Sequence, residues 1–528
     1  MNGESHEAIV AGAGPIGLLL ARELRLGGVR TLVLERHPHV RDTPKAGGLA
    51  GQIIEFLRYR GLWERFEAAG TKPAPPLRLP FGGLHVDFSH LAVSPIELLV
   101  LPQPQLERLL DELAGELGAE IRRGHELIGL RQDGATVNAD VRAPDGAYSV
   151  SARYLVGCDG AYSRVRDLAG IQFPGITYPQ VNRLAQVAMP ADAMLHENGD
   201  VQFAGFGRVP FGFTTMERGL FALASTRPGR LGLFTSEDET ADYNDDEPMT
   251  LDELGNSIRR VLGFDIPLGE ATRLTRFTFH ARQAERYREG RILLAGDAAH
   301  LFPAPGVALN AGMMDAANLG WKIAAAVHGW SPPDLLDTYD RERRFASDRT
   351  MLQTQAQVAI RRGHDAASEA LRKLLQELFA DEQAARRIGA CIAGTGIRYP
   401  QSKPNQHALC GTFAPDLTLH TSAGITSIGG LMRAGRPILV DLAGRHDLGD
   451  AAEDWLDRID VHVAETDDRP ADALLIRPDA HIAWAAAIGE PAEDAVPALH
   501  GALATWFGAS GVRSECTRFS ERSGVGVP

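Results

Sequence analysis

The chain has 528 residues, of which 44% are hydrophobic and 23% charged, and a formal net charge of -14. That length exceeds what one core supports and predicts two to four domains. The acidic balance excludes a broad nucleic-acid-binding or anionic-membrane surface.

The opening residues, MNGESHEAIVAGAG, lack the basic stretch and apolar core of a signal peptide. No run of about 18 apolar residues occurs, so no spanning helix is expected. Cys158, Cys391, Cys410 and Cys516 are scattered without C-x-x-C spacing. This predicts no disulfide framework and no metal site, and fits a reducing cytoplasm.

The first element, EAIVAGAGPIGLLLAREL, reads as a buried strand over Ala8–Ala11 followed by an apolar helix. Gly12, Gly14 and Gly17 stand between them, with Pro15 at the helix start, in the setting a dinucleotide fingerprint requires. Gly12 would permit the tight turn, Gly14 the approach of a pyrophosphate, and Gly17 close packing of helix on strand. The helix start offers free N–H groups to phosphates. The next strand, TLVLER, ends in Glu35, placed for a ribose-binding carboxylate. Arg36 beside it suits either the adenine end of such a ligand or plain solvent.

Further on, YLVGCDGAYSRVRDLAG gives a strand, Asp159-Gly160 and a helix bearing Ser163 and Arg166. RILLAGDAAH repeats the design with a strand over Ile292–Ala295 and then Gly296-Asp297. A helix from about Leu309 follows, running through NAGMMDAANLGWKIAAAV.

With these three motifs in order, the chain resembles the group A flavoprotein monooxygenases, the FAD-dependent aromatic hydroxylases related to para-hydroxybenzoate hydroxylase. The resemblance covers most of the first 390 residues. It implies an α/β fold: a Rossmann-like FAD-binding domain interrupted by an antiparallel-sheet substrate domain. It also implies that Glu35 holds the adenosine ribose and Asp297 the ribitol chain, and that Asp159 serves FAD and NAD(P)H handling. Gln103 falls where the family has an Arg or Gln touching the flavin, though a helix-capping glutamine reads as well. Gly306, Ala308, Leu309 and Asn310 would seat the pyrimidine side of the ring. There a helix N-terminus stabilises negative charge. His300 and Pro303 are the weak catalytic candidates, His300 being mainly structural in the family.

Two departures stand out. Pro305 replaces the first glycine of the family's glycine-rich loop and Ala308 the third, with Val307 at the variable position, which reduces freedom for positive φ. Lys45 and Gln52 stand where relatives commonly carry arginine, so nicotinamide docking or substrate contact is expected to differ.

The domain boundaries read as 1–175 for the first part of the FAD-binding domain, with a substrate-domain excursion near 73–98, then 176–276 for an antiparallel substrate domain. Phe206, Phe211, Phe213 and Met216 are its pocket candidates, about half of them expected to be plain core. Residues 277–395 complete the FAD-binding domain with charged helices, and 396–412 form a linker. Residues 413–528 resemble the thioredoxin-like C-terminal domain of phenol-hydroxylase-type members. Lacking C-x-x-C, this domain is expected to serve packing or oligomerisation, including a homodimer, and not dithiol chemistry.

The resemblance implies consumption of NADPH or NADH and O2, with one oxygen atom inserted into a polycyclic aromatic, polyketide-type substrate. Ring hydroxylation leads. Baeyer–Villiger or ring-cleaving oxygenation on the same scaffold is the alternative, and a non-oxygenating flavin reductase or flavin-binding partner comes from another class.

Overall fold

Four consecutive buried residues, Ala8–Ala11, form a central strand of a six-stranded sheet. The computed structural model describes residues 6–41, 46–72, 78–196, 199–205, 207–227, 229–238, 248–363, 365–400 and 406–510. Lys45 and Phe206 lie outside them.

Across this sheet the order is Arg288–Glu289, Ile292–Leu294, Tyr154–Gly157, Ala8–Ala11, Thr31–Glu35 and Glu120–Arg123. All neighbours pair in parallel except the antiparallel edge hairpin of the first two. Runs such as AIVA and YLVG are buried throughout, as strands covered on both faces require. The helices Pro15–Leu26 and Ala308–His328 pack against each other beside the sheet. A meander of Glu126–Gln132, Val137–Ala143 and Gly146–Ala152 precedes the strand Tyr154–Gly157.

A second six-stranded sheet is antiparallel throughout. Its order is Gly212–Met216, Gly219–Arg227, Arg230–Asp238, Gly175–Ala188, Ala271–Gln283 and His300–Leu301. The last strand continues directly from GDAAH, so His300, paired with Gln283, ties one sheet to the other. One face of the second sheet buries Ala185, Val187, Phe221, Leu223 and Leu233 against the amphipathic helix Leu251–Leu262. Thr250 caps that helix and Gly263 (φ 82°) ends it.

The C-terminal region carries a four-stranded sheet in the order Asp460–Val463, Ile438–Asp441, Ala473–Ile476, Ile482–Ala486, with the helix Ala492–Phe507 against it. It is not detached. Trp321, Ala325 and Leu335 share one apolar cluster with Leu439, Trp455, Leu499 and Phe507. The expected linker contributes to this joint: Tyr399 N–H donates to Gly411 O, and Gly411 N–H to Ile482 O. Among the described residues no helix is long and apolar enough to cross a membrane.

Candidate functional site

Ala11 pairs with Gly157, and Gly157 with Leu294, so three parallel strands end side by side. Each of the three sequence motifs begins within two residues of one of those ends. Gly12, Asp159-Gly160 and Gly296-Asp297 thus converge at the carboxyl edge of the sheet, where open α/β sheets bind their ligands.

The glycines have separable jobs. Gly12 sits at φ 105°, and a Cβ there would run into the Cys158 carbonyl. A Cβ on Gly17 would fall on the Gly12 carbonyl oxygen, so only glycine lets the helix start beneath the turn. Around Gly14, which precedes Pro15 at the first helical position, a Cβ would meet nothing within 4 Å. Packing therefore requires Gly12 and Gly17, whereas Gly14 borders open space. Gly312 allows the helix Ala308–His328 to approach, since its Cβ would press on Ile16.

Asp159 accepts from Ser163 Oγ (2.5 Å) and the Val165 N–H (3.1 Å), fixing the start of the helix Arg164–Leu168. Burial raises its carboxyl above the usual range while those bonds oppose the shift. Arg166 joins this motif to the next, donating to Ala298 O at 3.2 Å and lying 4.0 Å over the Phe173 ring. Glu35 accepts from the N–H groups of Ala13 and His37, both at 2.8 Å, so its carboxylate also shapes the glycine turn. Arg36 is exposed beside His37.

Gln103 opens the helix Gln103–Glu116. Its Oε1 accepts from Ala46 N–H (3.1 Å) and its Nε2 donates to Glu107 (2.7 Å). It pins the segment before the strand Gly48–Ala50. Gln52 opens the following helix, buried, with Nε2 unpartnered. Asn310 is the matching strut on the other side. Its Oδ1 accepts from Ala50 N–H (2.9 Å), and its Nδ2 donates to Gly306 O (2.8 Å).

Gly306 is the one residue of the loop from Phe302 to Ala308 with positive φ (84°). The replacements at Pro305, Val307 and Ala308 therefore cost no backbone strain. The helix begins at Ala308, with no side chain capping its first N–H groups. Ala308, Leu309 and Asn310 thus present helix-start amides toward this loop.

His300 has no exposed surface and serves the frame. Its Nε2 donates to Asp315 Oδ2 (2.8 Å), and its ring stacks on Phe302 at 4.7 Å. Asp315 also accepts from Gly296 N–H (2.9 Å) and Arg343 Nε (2.6 Å). Arg343 in turn donates to Ala311 O and to Tyr399 Oη. Arg343 and His300 hold the Asp315 carboxyl below its usual range although it is buried. The carbonyl of Pro303 is occupied by Arg361 Nη2 (3.2 Å).

The second sheet's other face carries the aromatic rings. Phe213 packs 6.4 Å from Phe234 and 6.1 Å from His85, and Phe277 meets Phe279 at 5.5 Å. Two pocket candidates fall elsewhere. Met216 has the opposite strand parity and packs with the core beneath the helix Leu251–Leu262. Phe211 sits 51% exposed at an outer corner, its N–H on Asp200. Phe234 and Phe277 were not among the candidates, although the alternation in RLGLFTSED and RLTRFTFHA carries them.

A family model described as FAD binding domain matches residues 5–354, and one described as Aromatic-ring hydroxylase, C-terminal, matches 407–510. The chain belongs to the FAD-dependent aromatic-ring hydroxylases. It is 40% identical to the 12-dehydrotetracycline 5-monooxygenase/anhydrotetracycline 6-monooxygenase of Streptomyces rimosus, covering 95% of this chain and 99% of that protein. It is 36% identical to dialkyldecalin synthase of Streptomyces rugosporus, covering 96% and 99%. An aromatic hydroxylase from angucycline biosynthesis has the same fold, with a TM-score of 0.85 at 33% identity over 96% of this chain and all of that one.

As a flavoprotein monooxygenase the chain needs a FAD seat, and its residues fit one. The space around Gly14 is open enough for a pyrophosphate to approach, and two helix starts without a side-chain cap, at Pro15 and Ala308, have the N–H groups that would suit its anionic parts. Replacing Asn310 by alanine removes both bonds that brace the loop. FAD affinity, measured by fluorescence titration of the apoprotein, is expected to fall about tenfold with little change in the fold.

Proposed function

We propose that this monooxygenase hydroxylates a ring of a polycyclic aromatic polyketide, drawing hydride from NADPH or NADH. The observation that supports it best is the aromatic face of Phe213, Phe234, Phe277 and Phe279, turned away from the helix-covered core. Flat apolar ligands suit such a surface. One relative is named for 12-dehydrotetracycline and anhydrotetracycline, and another is an aromatic hydroxylase from angucycline biosynthesis.

FAD, when bound, would supply the redox chemistry: two electrons from NAD(P)H, with one atom of O2 going into the substrate and the other leaving as water. The protein's own groups do the rest. The Gly12–Gly17 turn and the helix start at Pro15 would hold the pyrophosphate, Glu35 the ribose, and Asp297 the ribitol chain. The amides of Ala308–Asn310 would place positive partial charge beside the pyrimidine edge of the bound flavin. The aromatic face orients the substrate and excludes water.

We further assign residues 1–175 (apart from 73–98) and 277–395 to one Rossmann-like unit, 176–276 to the substrate domain, 396–412 to a connector, and 413–528 to a thioredoxin-like domain. The return of the chain to the parallel sheet at Ile292 supports the first division, and the mixed four-stranded sheet with its flanking helix supports the last. Lys45 would contact the nicotinamide or the substrate, and the C-terminal domain would support a homodimer.

Incubating the purified yellow protein with anhydrotetracycline, NADPH and air, followed by mass spectrometry and NMR, tests the reading. A product with one added ring hydroxyl is expected. A lactone or opened ring would instead establish Baeyer–Villiger chemistry. Conversion that needs neither NADPH nor oxygen would contradict the reading.

A further inference from the structure

Arg361 lies in the last turn of the long helix Leu335–Arg362. An arginine there ordinarily serves its own helix, pairing with terminal carbonyls. Arg361 does not. Arg372 takes that work, donating from Nη1 to Ile360 O (3.0 Å) and Gly363 O (2.6 Å). Arg361 instead reaches across to the loop following GDAAH, donating to the Pro303 carbonyl at 3.2 Å. Its guanidinium also lies 5.2 Å over the ring of Phe279, which packs edge-on against Phe277.

The group therefore stands between the loop of the flavin seat and the sheet's aromatic face. Among the described residues no carboxylate pairs with it, and burial pushes its pKa down to about 10, opposed only by the Tyr178 phenol. Its neighbour Arg362 has a distant partner in Asp238 (3.9 Å), so the local charge is net positive. A cation set in apolar surroundings without a protein anion calls for an anion from elsewhere.

We propose that Arg361 anchors an acidic oxygen of the substrate, the phenolate or enolate of a hydroxylated polycyclic ring. This rests on the polycyclic-substrate reading above and specifies its chemistry. A planar fork beside that oxygen fixes the ring system against the aromatic face. It also favours the ionised form, because a nearby positive charge lowers the pKa of a phenol. The ionised ring is richer in electrons and more readily hydroxylated. No bond to the protein forms or breaks. Arg361 acts by holding charge and orientation.

The test uses the FAD-loaded protein and two probes, alizarin, which has acidic ring hydroxyls, and its dimethyl ether, which has none. Binding is read from the flavin absorbance change, independently of turnover. R361M is expected to weaken alizarin about 10- to 100-fold and to leave the ether within about twofold. R361K, which keeps the charge but not the fork, is expected to fall between wild type and R361M, and it decides the matter if R361M fails to retain FAD. The KM for NADPH is expected to stay unchanged.

Equal loss for both probes, or none for alizarin, overturns the anchor. So does an effect confined to the KM for NADPH, which would mark a phosphate site. Wild type that binds alizarin while R361M and R361K bind it equally well defeats the anchor alone. Wild type that binds neither probe defeats the polycyclic reading with it.

Discussion

Gly17→Ala is expected to yield a protein that is both destabilised and nearly colourless, with FAD affinity lowered about 100-fold. The added Cβ would fall on the Gly12 carbonyl oxygen, a backbone atom of a turn already held by Gly12 N–H on Leu34 O (2.7 Å). Relief requires the helix Pro15–Leu26 to back away from the sheet, and overpacking of this kind costs about 1–3 kcal/mol. The same movement displaces the helix-start amides from the phosphates, which adds to the loss of binding. Gly14→Ala provides the contrast. Its Cβ meets no protein atom, so the apoprotein is expected to melt within about 1–2 °C of wild type, while FAD affinity still drops about tenfold or more. Melting of the apoprotein, together with FAD titration, separates the two. Equal loss of apoprotein stability in both variants would mean that Gly14 also serves packing, and unchanged FAD affinity in Gly14→Ala would mean that the turn does not approach a phosphate.

Truncating Arg477 is the second large effect. Arg477 donates to Glu342 Oε1 (2.5 Å) and Oε2 (3.0 Å) and to Asp479, all buried. Lys322 Nζ donates to the same Glu342 at 2.7 Å, and Asn318 bridges Glu342 to Asp479. The cluster thus joins the helices Ala308–His328 and Leu335–Arg362 to the C-terminal sheet. Arg477→Met leaves two buried carboxylates with too little positive charge, which is expected to cost about 3–5 kcal/mol in denaturant unfolding. A loss below about 1 kcal/mol would mean that the cluster is not closed off from water.

The cluster also sets an acid limit. Arg477 and Lys322 hold the Glu342 carboxyl at about 2 in the folded chain against an ordinary 4.5, and Arg477 and His481 hold Asp479 well below the usual range. A carboxylate depressed by folding contributes stability that is full above its unfolded value and disappears as pH falls through the folded one. Stability is therefore expected to decline between about pH 4.5 and 2, and less steeply in Glu342→Gln. Lys322 acts with the opposite sign. Burial lowers it to about 8, so its charging penalty persists below that pH and is relieved above it.

The convergence of the three motifs at one sheet edge was legible in the sequence because glycine turns and strand ends are local. Gly12, Gly14, Gly17, Asp159 and Gly296 announce their backbone needs within a few neighbours, and the parallel sheet then brings them together. The aromatic face was only half legible. Phe213 and Met216 lie on one strand, but which parity faces the helix depends on that strand's pairing with Gly219–Arg227, and this pairing is set by the tertiary fold. The clamp of Arg343 on Asp315 and the cluster at Arg477 left no local trace. Their partners stand 28 and 135 residues apart, and charged residues in a helical pattern look like a solvated face. Arg361 escaped for the same reason.

Turnover under isotopically heavy dioxygen tests the central claim most directly. With FAD-loaded protein, NADPH and a polycyclic aromatic substrate, mass spectrometry is expected to find one heavy oxygen atom in the hydroxylated product and none from water. A product carrying oxygen from water, or formed at full rate by the FAD-free protein, would contradict the account.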